Sequence, residues 1–431
     1  MKLPHSLSTR REFIVTAAGA LATASVSNVF AQGAGKIRVA VIGTGGRGCD
    51  LVRKLSTIES AEIVAVSDDY EPHLRNGARY AGKQAKTFSD YRKMLEQIKP
   101  AVVVVAVPLW LHYQVCCDAL DSGADVFCEK TMTHSIEEGR KLAAKVRGSK
   151  QVFQVGLQRR ANPIYNQARA MIETGMLGRI TAARCQWHRN NNWRRPVPVE
   201  RTHAKWNELE KRLNWRLYRK FSQGLMAELG SHQMDVINWM FDAAPSRVMA
   251  TGGVDYWRDG REVADNVFCI YEYTLKPTHG EESRDPYTVR VTYSSLCNNA
   301  YEGASELIMG TRGTLFLTDK KGLLFLEKGA DDVGWVKKDA SGTNASIVTS
   351  GKTLGLTNDP WAFRGKPVEI DNEGGDDTRE ELVSFLHHVR DRDLQTICDV
   401  NIGLRNAATI LIANEAIDAR KTVEFPRDLR S

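Results

Sequence analysis

Apolar positions in the first third of the chain fall into continuous runs, separated by stretches with a helical period. The runs are KIRVAVIG, AEIVAVSDD, PAVVVVAVP, DVFCEK and QVFQVGLQ. Strands that are apolar on both faces are typical of a parallel sheet covered by helices on both sides. The pattern therefore predicts an α/β domain with a parallel sheet over residues 36–154.

A different pattern begins at Val155. Short, partly alternating strands indicate an open, mainly antiparallel sheet, and they include NVFCIYEYTL, YTVRVTYSSL, ELIMGTRGTLFLT and GLLFLEKG. Two helical stretches, DDTREELVSFLHHVRD and IGLRNAATILIANEAIDA, follow near the end of the chain. We predict a second α/β domain over residues 155–431, with these helices packing back on the first domain.

A glycine-rich turn, GTGGRG, closes the first apolar run and gives the first indication of chemistry. Gly43 permits a tight turn, Gly45 lets the backbone approach a pyrophosphate, and Gly48 lets the next helix pack closely on the strand. Gly46 and Arg47 complete the turn, and the helix that starts there would direct its N-terminus at the phosphates.

An acidic residue stands where a dinucleotide fold needs one. Asp68 ends the second apolar run, about twenty residues after the last glycine of the turn, where a carboxylate can bind the adenosine ribose hydroxyls. The same carboxylate would repel a 2′-phosphate. The first domain is therefore predicted to be a Rossmann domain that binds NAD rather than NADP. Asp69 is an alternative for the ribose contact, and capping of the next helix is an alternative role for both residues.

Composition supports an ordinary globular protein. The chain has 431 residues, 42% hydrophobic and 26% charged, which is enough for about two to three domains. Its 59 basic and 52 acidic residues leave a net charge of +7, a balance too even to indicate nucleic-acid binding. The eight cysteines show neither CxxC pairs nor His/Cys metal spacing, so we expect buried thiols and no metal site.

The N-terminal segment has the pattern of a twin-arginine export signal. STRREFI is followed by the apolar run IVTAAGALATASV, and Val29 and Ala31 are small residues before a cleavage point at 31. We expect residues 1–31 to direct the folded protein to the periplasm; an uncleaved anchor or an amphipathic start is the alternative. No second apolar run approaches the roughly 18 residues that span a bilayer, so no stable insertion is expected after cleavage.

An ordered set of motifs resembles the glucose-fructose oxidoreductase and inositol dehydrogenase family (Gfo/Idh/MocA). It comprises the GTGGRG turn, Asp68, VPLWLH (107–112), CEKT (128–131), VGLQRR (155–160), ETGMLGRI (173–180), MAELGSHQMD (226–235) and GTRGTLFL (310–317). The resemblance implies hydride transfer with a nicotinamide cofactor. The lysine of the family's Glu-Lys-Pro motif matches Lys130, and its Asp-x-x-x-His pair matches Glu228 and His232. Thr131 departs from the usual proline and Glu228 from the usual aspartate.

The matched residues suggest an acid/base unit. On a helix, Glu228, His232 and Asp235 would share one face. We assign His232 as general base, Lys130 as the donor that stabilises the developing alkoxide, and Glu228 as the carboxylate that orients His232. Glu129 is expected to position Lys130 at the carboxyl edge of the first sheet, and both residues are candidates for cofactor binding there. A structural histidine is the alternative for His232, and Asp235 is left as a supporting or structural residue.

Further candidates lie in two stretches. Pro108 ends the third apolar run, and Trp110 and His112 are candidates for the nicotinamide pocket, although packing explains them as well. The stretch from Cys185 to Phe221 is rich in residues that suit sugar rings. The candidate substrate contacts are Arg159, Arg160, Trp193, Arg194, His203, Trp206, Trp215 and Arg216; a subunit interface or surface arm is the alternative.

These expectations combine into one function. We expect an exported oxidoreductase that transfers hydride between a ring hydroxyl of a sugar, glycoside or cyclitol and a tightly bound NAD. One alternative is an NAD-dependent glycoside hydrolase or lyase that works through a transient keto-sugar, and another is a sugar-binding protein without turnover. A homo-oligomer is expected, because an open sheet usually needs a partner on its outer face.

Overall fold

The protein is represented by a computed structural model that describes residues 35–277, 285–327, 367–370 and 375–430. The predicted export signal, residues 1–31, lies outside these ranges. Among the described residues, no helix has both the length and the apolar character that crossing a membrane requires.

A six-stranded parallel sheet forms the first half of the fold. Its strand order is β3-β2-β1-β4-β5-β6, the arrangement of a dinucleotide-binding Rossmann domain. All four residues of the run VVVV are buried, because helices cover both faces of the sheet. The strands are β1 (Ile37–Ile42), β2 (Ala61–Ser67), β3 (Lys86–Phe88), β4 (Val102–Val105), β5 (Asp125–Glu129) and β6 (Phe153–Gly156).

Three of the helices between these strands begin at a capping side chain or at a glycine. Asp90 and Ser135 cap two of them by accepting backbone N–H bonds, whereas Gly45 begins the first without any side-chain cap. The helices are α1 (Gly46–Leu55), α2 (Glu71–Ala81), α3 (Tyr91–Ile98), α4 (His112–Asp121) and α5 (Ile136–Arg147).

A second sheet of nine described strands follows. Its order is β14-β13-β12-β11-β7-β10-β9-β8-β15; β7 and β10 are parallel and the other neighbours antiparallel, which confirms the predicted fold class. The strands are β7 (Ile180–Asn190), β8 (Pro245–Gly253), β9 (Asn266–Leu275), β10 (Tyr287–Leu296), β11 (Asn298–Gly310), β12 (Gly313–Leu317), β13 (Gly322–Leu326), β14 (Val368–Ile370) and β15 (Val423–Glu424).

Five further described helices follow β6; some pack against the second sheet and others reach the first. They are α6 (Pro163–Glu173), α7 (Trp206–Leu213), α8 (Ser231–Phe241), α9 (Asp377–Asp391) and α10 (Val400–Ala419), and a π-helical turn, Met226–Gly230, runs directly into α8. Leu382 and Phe385 of α9 pack in the same core as Val39 of β1. Leu404 of α10 packs with Val155 of β6. The terminal helices thus pack against the first sheet.

Candidate active site

The glycine-rich turn has the geometry that a dinucleotide requires. Gly43 has φ +90°, and a Cβ there would lie 2.6 Å from the Ala106 carbonyl oxygen. A Cβ on Gly48 would lie 1.8 Å from the Gly43 carbonyl oxygen. Because Gly45 supplies no side-chain cap, the first N–H groups of α1 remain available to an anion. The turn therefore fits the pyrophosphate of NAD.

Asp68 lies beside this turn. Its carboxylate accepts the backbone N–H of Thr44 (2.7 Å) and that of Tyr70 (2.9 Å), which orient it at the end of β2. Asp69, the alternative ribose contact, instead forms an ion pair with Arg212 of α7 (2.9 Å). Asp68 is therefore the carboxylate placed to accept ribose hydroxyls.

A cavity of about 250 Å³ opens at the carboxyl ends of β4 and β5. Open parallel sheets bind ligands at this edge. The cavity brings together many of the residues singled out in the sequence: Arg47, His112, Glu129, Lys130, Trp215, Arg216, Glu228 and His232.

Lys130 extends from the end of β5 to the π-helical turn. Its Nζ donates to the carbonyl oxygens of Ala227 (3.3 Å) and Glu228 (3.0 Å), and it lies 3.9 Å from Glu228 Oε2. Burial lowers the pKa of Lys130 below its ordinary value, although Glu228 and Glu129 oppose the shift. The Lys130–Thr131 peptide bond is cis. An ammonium group has three N–H donors, so one remains for a ligand.

Glu228 bonds to cations rather than to His232. Arg216 Nε donates to Glu228 Oε2 (2.9 Å). Burial opposes ionisation of this carboxyl, but Arg216 and Lys130 outweigh it and lower its pKa to about 2. The expected role of Glu228 in orienting His232 is therefore not what the structure shows; the carboxylate holds Arg216 and faces Lys130.

His232 lies in the cavity wall against an aromatic ring. Its imidazole centroid is 5.4 Å from the Trp187 ring of β7, and within the described ranges its Nδ1 has no hydrogen-bond partner. Burial, together with the positive charges of Lys130, Arg159 and Arg47, holds the pKa of His232 well below its usual range. The ring is consequently neutral near pH 7.

Asp235 does not flank His232. It lies on α8 and accepts from Arg160 through both oxygens, at 2.8–3.2 Å. Arg160 was a candidate substrate contact and Asp235 a supporting or structural residue. The two side chains instead bond to each other, and neither lines the cavity. His232 is therefore not flanked by the carboxylates of Glu228 and Asp235, contrary to the expectation from their shared helix face.

Glu129 and Arg47 form a pair at the cavity floor. Arg47 Nε donates to Glu129 Oε1 (2.7 Å), and the same guanidinium reaches Asp50 and Glu381. Glu129 meets Lys130 only through the backbone N–H (3.2 Å). Glu129 therefore ties the glycine-rich turn to β5, and its hydrogen bond to Lys130 is made through the lysine backbone.

His112 connects the two loops that border the cavity. Its Nε2 lies 2.9 Å from the Val107 carbonyl oxygen and its Nδ1 lies 2.9 Å from the Thr131 carbonyl oxygen. Pro108 directly precedes the short helical turn Leu109–Leu111 after β4. Trp110 is half-exposed and packs against Phe221 rather than lining the cavity.

Two of the predicted substrate contacts, Trp215 and Arg216, line the cavity. The others make different contacts. Arg159 pairs with Asp377 (2.7 Å), Arg194 with Glu210 and Asp259, Trp193 stacks under Arg189, and Trp206 under Arg201. His203 Nδ1 accepts the Lys205 backbone N–H. Their charges and ring faces are largely occupied within the protein itself.

Sequence reasoning missed two residues of this site, Gln158 and Trp187, and named a third, Thr131, only as a departure from proline. Gln158 lines the cavity, Trp187 packs on His232, and Thr131 contacts the π-helical turn. Gln158 lies within the quoted VGLQRR motif, and strand alternation from buried Cys185 would have placed Trp187 on the inner face. In the described parts of the chain, no group of three or more His, Cys, Asp and Glu is arranged to hold a metal ion.

Fold and site together define a two-domain, dinucleotide-binding α/β protein. Residues 37–157 match the family model for the oxidoreductase family with an NAD-binding Rossmann fold, and residues 165–316 match the GFO/IDH/MocA C-terminal domain. The chain therefore belongs to the Gfo/Idh/MocA oxidoreductase family, and its first domain is that family's NAD-binding domain.

Similar proteins include enzymes of carbohydrate metabolism. The chain is 30% identical over 145 residues to scyllo-inositol 2-dehydrogenase (NAD(+)) of Bacillus subtilis, covering 33% of this chain and 42% of that protein. It is 38% identical over 112 residues to glycosyl hydrolase family 109 protein 1 of Akkermansia muciniphila, covering 24% of this chain and 23% of that protein. Each match thus spans less than half of the relative's length.

Among solved structures, a levoglucosan dehydrogenase in complex with NADH and levoglucosan has a similar fold. The TM-score is 0.67 at 16% identity, and the likeness covers 91% of this chain and 100% of that chain. At this identity the likeness supports the fold.

Proposed function

We propose that the protein is an NAD-dependent oxidoreductase that removes hydride from a ring hydroxyl of a sugar, glycoside or cyclitol. The observation that carries the proposal is the convergence of Lys130, Glu228 and His232 on one cavity, whose wall also includes Arg47 of the glycine-rich turn. A hydroxyl-bearing ligand bound in this polar cavity would lie beside the dinucleotide turn.

The residues of the cavity suit removal of a hydroxyl proton. Bound NAD supplies the hydride acceptor. The neutral imidazole of His232 is the proposed acceptor for the proton of the substrate hydroxyl. Lys130 directs its remaining N–H at the same oxygen as negative charge develops there. Glu228 stays ionised and keeps Arg216 beside the substrate.

The relatives favour a polyhydroxylated ring as substrate. One similar protein is a scyllo-inositol dehydrogenase and one similar fold is a levoglucosan dehydrogenase. Trp215 offers a flat apolar face in the cavity wall, and Gln158 and Arg216 offer hydrogen-bond donors. Ring C–H faces and hydroxyl edges match these two kinds of surface.

The cofactor is proposed to stay bound through turnover and to be regenerated by a second substrate. Support comes from the crossing segment, residues 206–221, which contacts the carboxyl edge of the first sheet at two places. Arg212 pairs with Asp69 after β2, and the Phe221 ring lies 5.5 Å from the Trp110 ring after β4. A segment across this edge would hinder release of a dinucleotide.

The test is a cofactor assay followed by a substrate panel. Protein purified without added nucleotide is expected to release NAD or NADH on denaturation. The loaded protein should then gain absorbance near 340 nm, characteristic of reduced nicotinamide, with one of a set of glycosides and cyclitols. A protein that neither carries nor binds the nucleotide would refute the proposal.

Redox-assisted glycoside cleavage is the second candidate, favoured by the similarity to a family 109 glycosyl hydrolase. In that reaction a ring hydroxyl is oxidised transiently to a ketone, the neighbouring C–H becomes acidic and loses its proton, and the aglycone leaves by elimination. In a hydrolase, water then adds to the resulting double bond, and hydride returns to the ketone carbon. Release of aglycone from an aryl glycoside without net oxidation, abolished when NAD is removed, would select this candidate.

We also propose export to the periplasm through the twin-arginine route. The support is the STRREFI motif and the apolar run that follows it. Cell fractionation with the Arg10→Lys/Arg11→Lys double variant tests this: the unchanged protein should appear in the periplasm and the variant in the cytoplasm. Equal distributions would contradict it.

A further inference from the structure

Thr131 and Lys130 contact the same backbone carbonyl. Thr131 Oγ1 donates to the Ala227 oxygen (3.1 Å), which also accepts from Lys130 Nζ (3.3 Å). Ala227 belongs to the π-helical turn, an element far from β5 in sequence. Two adjacent residues therefore join the end of β5 to the turn that carries Glu228.

The two contacts differ in rigidity. A lysine side chain has four rotatable bonds, so its ammonium can move while its backbone stays in place. Threonine has one χ1 torsion with few rotamers, and its short hydroxyl reaches Ala227 only if the backbone is close to the turn. Thr131 is buried, with 1% of its surface exposed. Its hydroxyl therefore fixes the distance between the end of β5 and the π-helical turn, which the Lys130 side chain must span.

The other side of Thr131 is also held. Its carbonyl oxygen lies 2.9 Å from His112 Nδ1, and the opposite ring nitrogen contacts the Val107 carbonyl. The segment after β5 is thus connected to the loop after β4 on one side and to the π-helical turn on the other. Lys130 lies directly beside this connection.

We propose that Thr131 is a positioning residue for Lys130, acting through the Ala227 carbonyl. A proline at this position, as in the family pattern, carries no hydroxyl and could not make the contact. Thr131 thus makes a hydrogen bond to the π-helical turn that the usual proline could not make. The inference rests on the proposed function, since it concerns the residue proposed to stabilise the alkoxide.

Three substitutions at Thr131 distinguish the effect of its hydroxyl from the effects of its side-chain shape and its backbone. Thr131→Ser keeps the hydroxyl, Thr131→Val keeps the shape, and Thr131→Pro installs the residue usual in the family. Ser231→Ala is the matched control, because Ser231 Oγ also donates to Ala227 (2.7 Å) but from the adjoining helix, without linking to β5.

Two measurements are made on the protein as purified. Turnover is measured with the best substrate, and acylation of Lys130 is followed by peptide mass spectrometry, with exposed Lys83 as internal reference. In the Val and Pro variants kcat is expected to fall about tenfold, as for loss of one buried hydrogen bond, while KM changes little. Lys130 should become acylated several-fold faster, whereas the Ser variant and the Ser231→Ala control stay close to the unchanged protein.

The inference is overturned if the Val variant keeps both its turnover and the protection of Lys130 from acylation. It is likewise overturned if the Pro variant keeps both. If Val does not fold, the comparison of Ser with Pro decides alone. The acylation measurement needs no substrate, so it still tests Thr131 in a protein that oxidises no sugar, an outcome that would refute the proposed function separately.

Discussion

The charged residues of the cavity have specific partners, and these decide their chemistry. Lys130, Glu228 and His232 were identified as candidates from the sequence motifs, and they line one cavity. The motif could not show that Glu228 pairs with Arg216 instead of orienting His232. A carboxylate pairs with the cation nearest in space, which depends on how distant segments pack.

The first prediction concerns His232, the proposed proton acceptor, and Lys130, the proposed donor to the developing alkoxide. Lys130→Ala and His232→Asn should each lower kcat about 10²- to 10⁴-fold, the usual contribution of acid/base groups. NAD affinity should remain nearly unchanged, because the glycine-rich turn is intact. Steady-state kinetics with nucleotide titration checks this. Unaltered turnover in either variant would remove that residue from the proposed mechanism.

The second prediction at the scale of single residues concerns Glu306. The side chain of this β11 residue is buried, and Tyr165 donates to its Oε2 (2.7 Å). Burial raises its pKa to about 7 from an ordinary 4.5, opposed by Arg159 and Tyr165. Between these values the folded state holds a proton that the unfolded state has lost, so rising pH destabilises the fold, by about 3 kcal/mol over the window.

Glu306→Gln removes this titration. Urea unfolding at pH 5 and pH 7.5 should show that the unchanged protein loses more stability than the variant as pH rises. Exposed Glu96→Gln serves as the control, and its curve should run parallel to that of the unchanged protein. A parallel curve for Glu306→Gln would contradict the prediction.

At the scale of elements, strong hydrophobic patterns were the easiest to predict. The five apolar runs became β1, β2, β4, β5 and β6, and both terminal stretches became helices α9 and α10. Strand β3 is only KTF and has no apolar run to reveal it. Strand β7 extends into the Trp- and Arg-rich stretch, where polar residues mask the alternation. The π-helical turn at Glu228 also has no distinctive periodicity.

The crossing segment gives a prediction for cofactor release. Arg212→Ala removes the ion pair with Asp69 and should speed dissociation of NADH by about two- to fivefold, since exposed pairs contribute up to about 1 kcal/mol. Stopped-flow fluorescence of bound NADH measures the rate. Arg219→Ala is the matched control, because Arg219 lies in the same segment but pairs with Asp418 of α10. Equal rates in both variants would argue against retention by Arg212.

For the whole molecule, the described residues leave apolar side chains exposed on one face of the second sheet. Phe268 (47% exposed), Ile270 (40%) and Met249 (42%) form an outer patch on β8 and β9, and Met249 is directly opposite Ile270 in the strand register. Contiguous exposed apolar residues on a sheet mark an interaction surface. We propose that a second copy of the chain covers this patch.

Ile270→Lys should therefore convert the oligomer to a smaller species. Light scattering coupled to size-exclusion chromatography gives the masses, and Leu394→Lys, at a half-exposed leucine outside this sheet, is the control. If the unchanged protein is already a monomer at micromolar concentration, the proposed interface is absent.

The sequence by itself determined the glycine-rich turn, the alternation of strands and helices in the first domain, and the identity of the charged residues at the strand ends. These features depend on local periodicity and on residues close together in the chain. Only the tertiary structure decided the partners. Glu129 meets Arg47, Glu228 meets Arg216, Asp235 meets Arg160, and Thr131 meets Ala227. Side chains from different segments compete for these contacts in space, and packing of the two sheets determines which of them are close enough to pair.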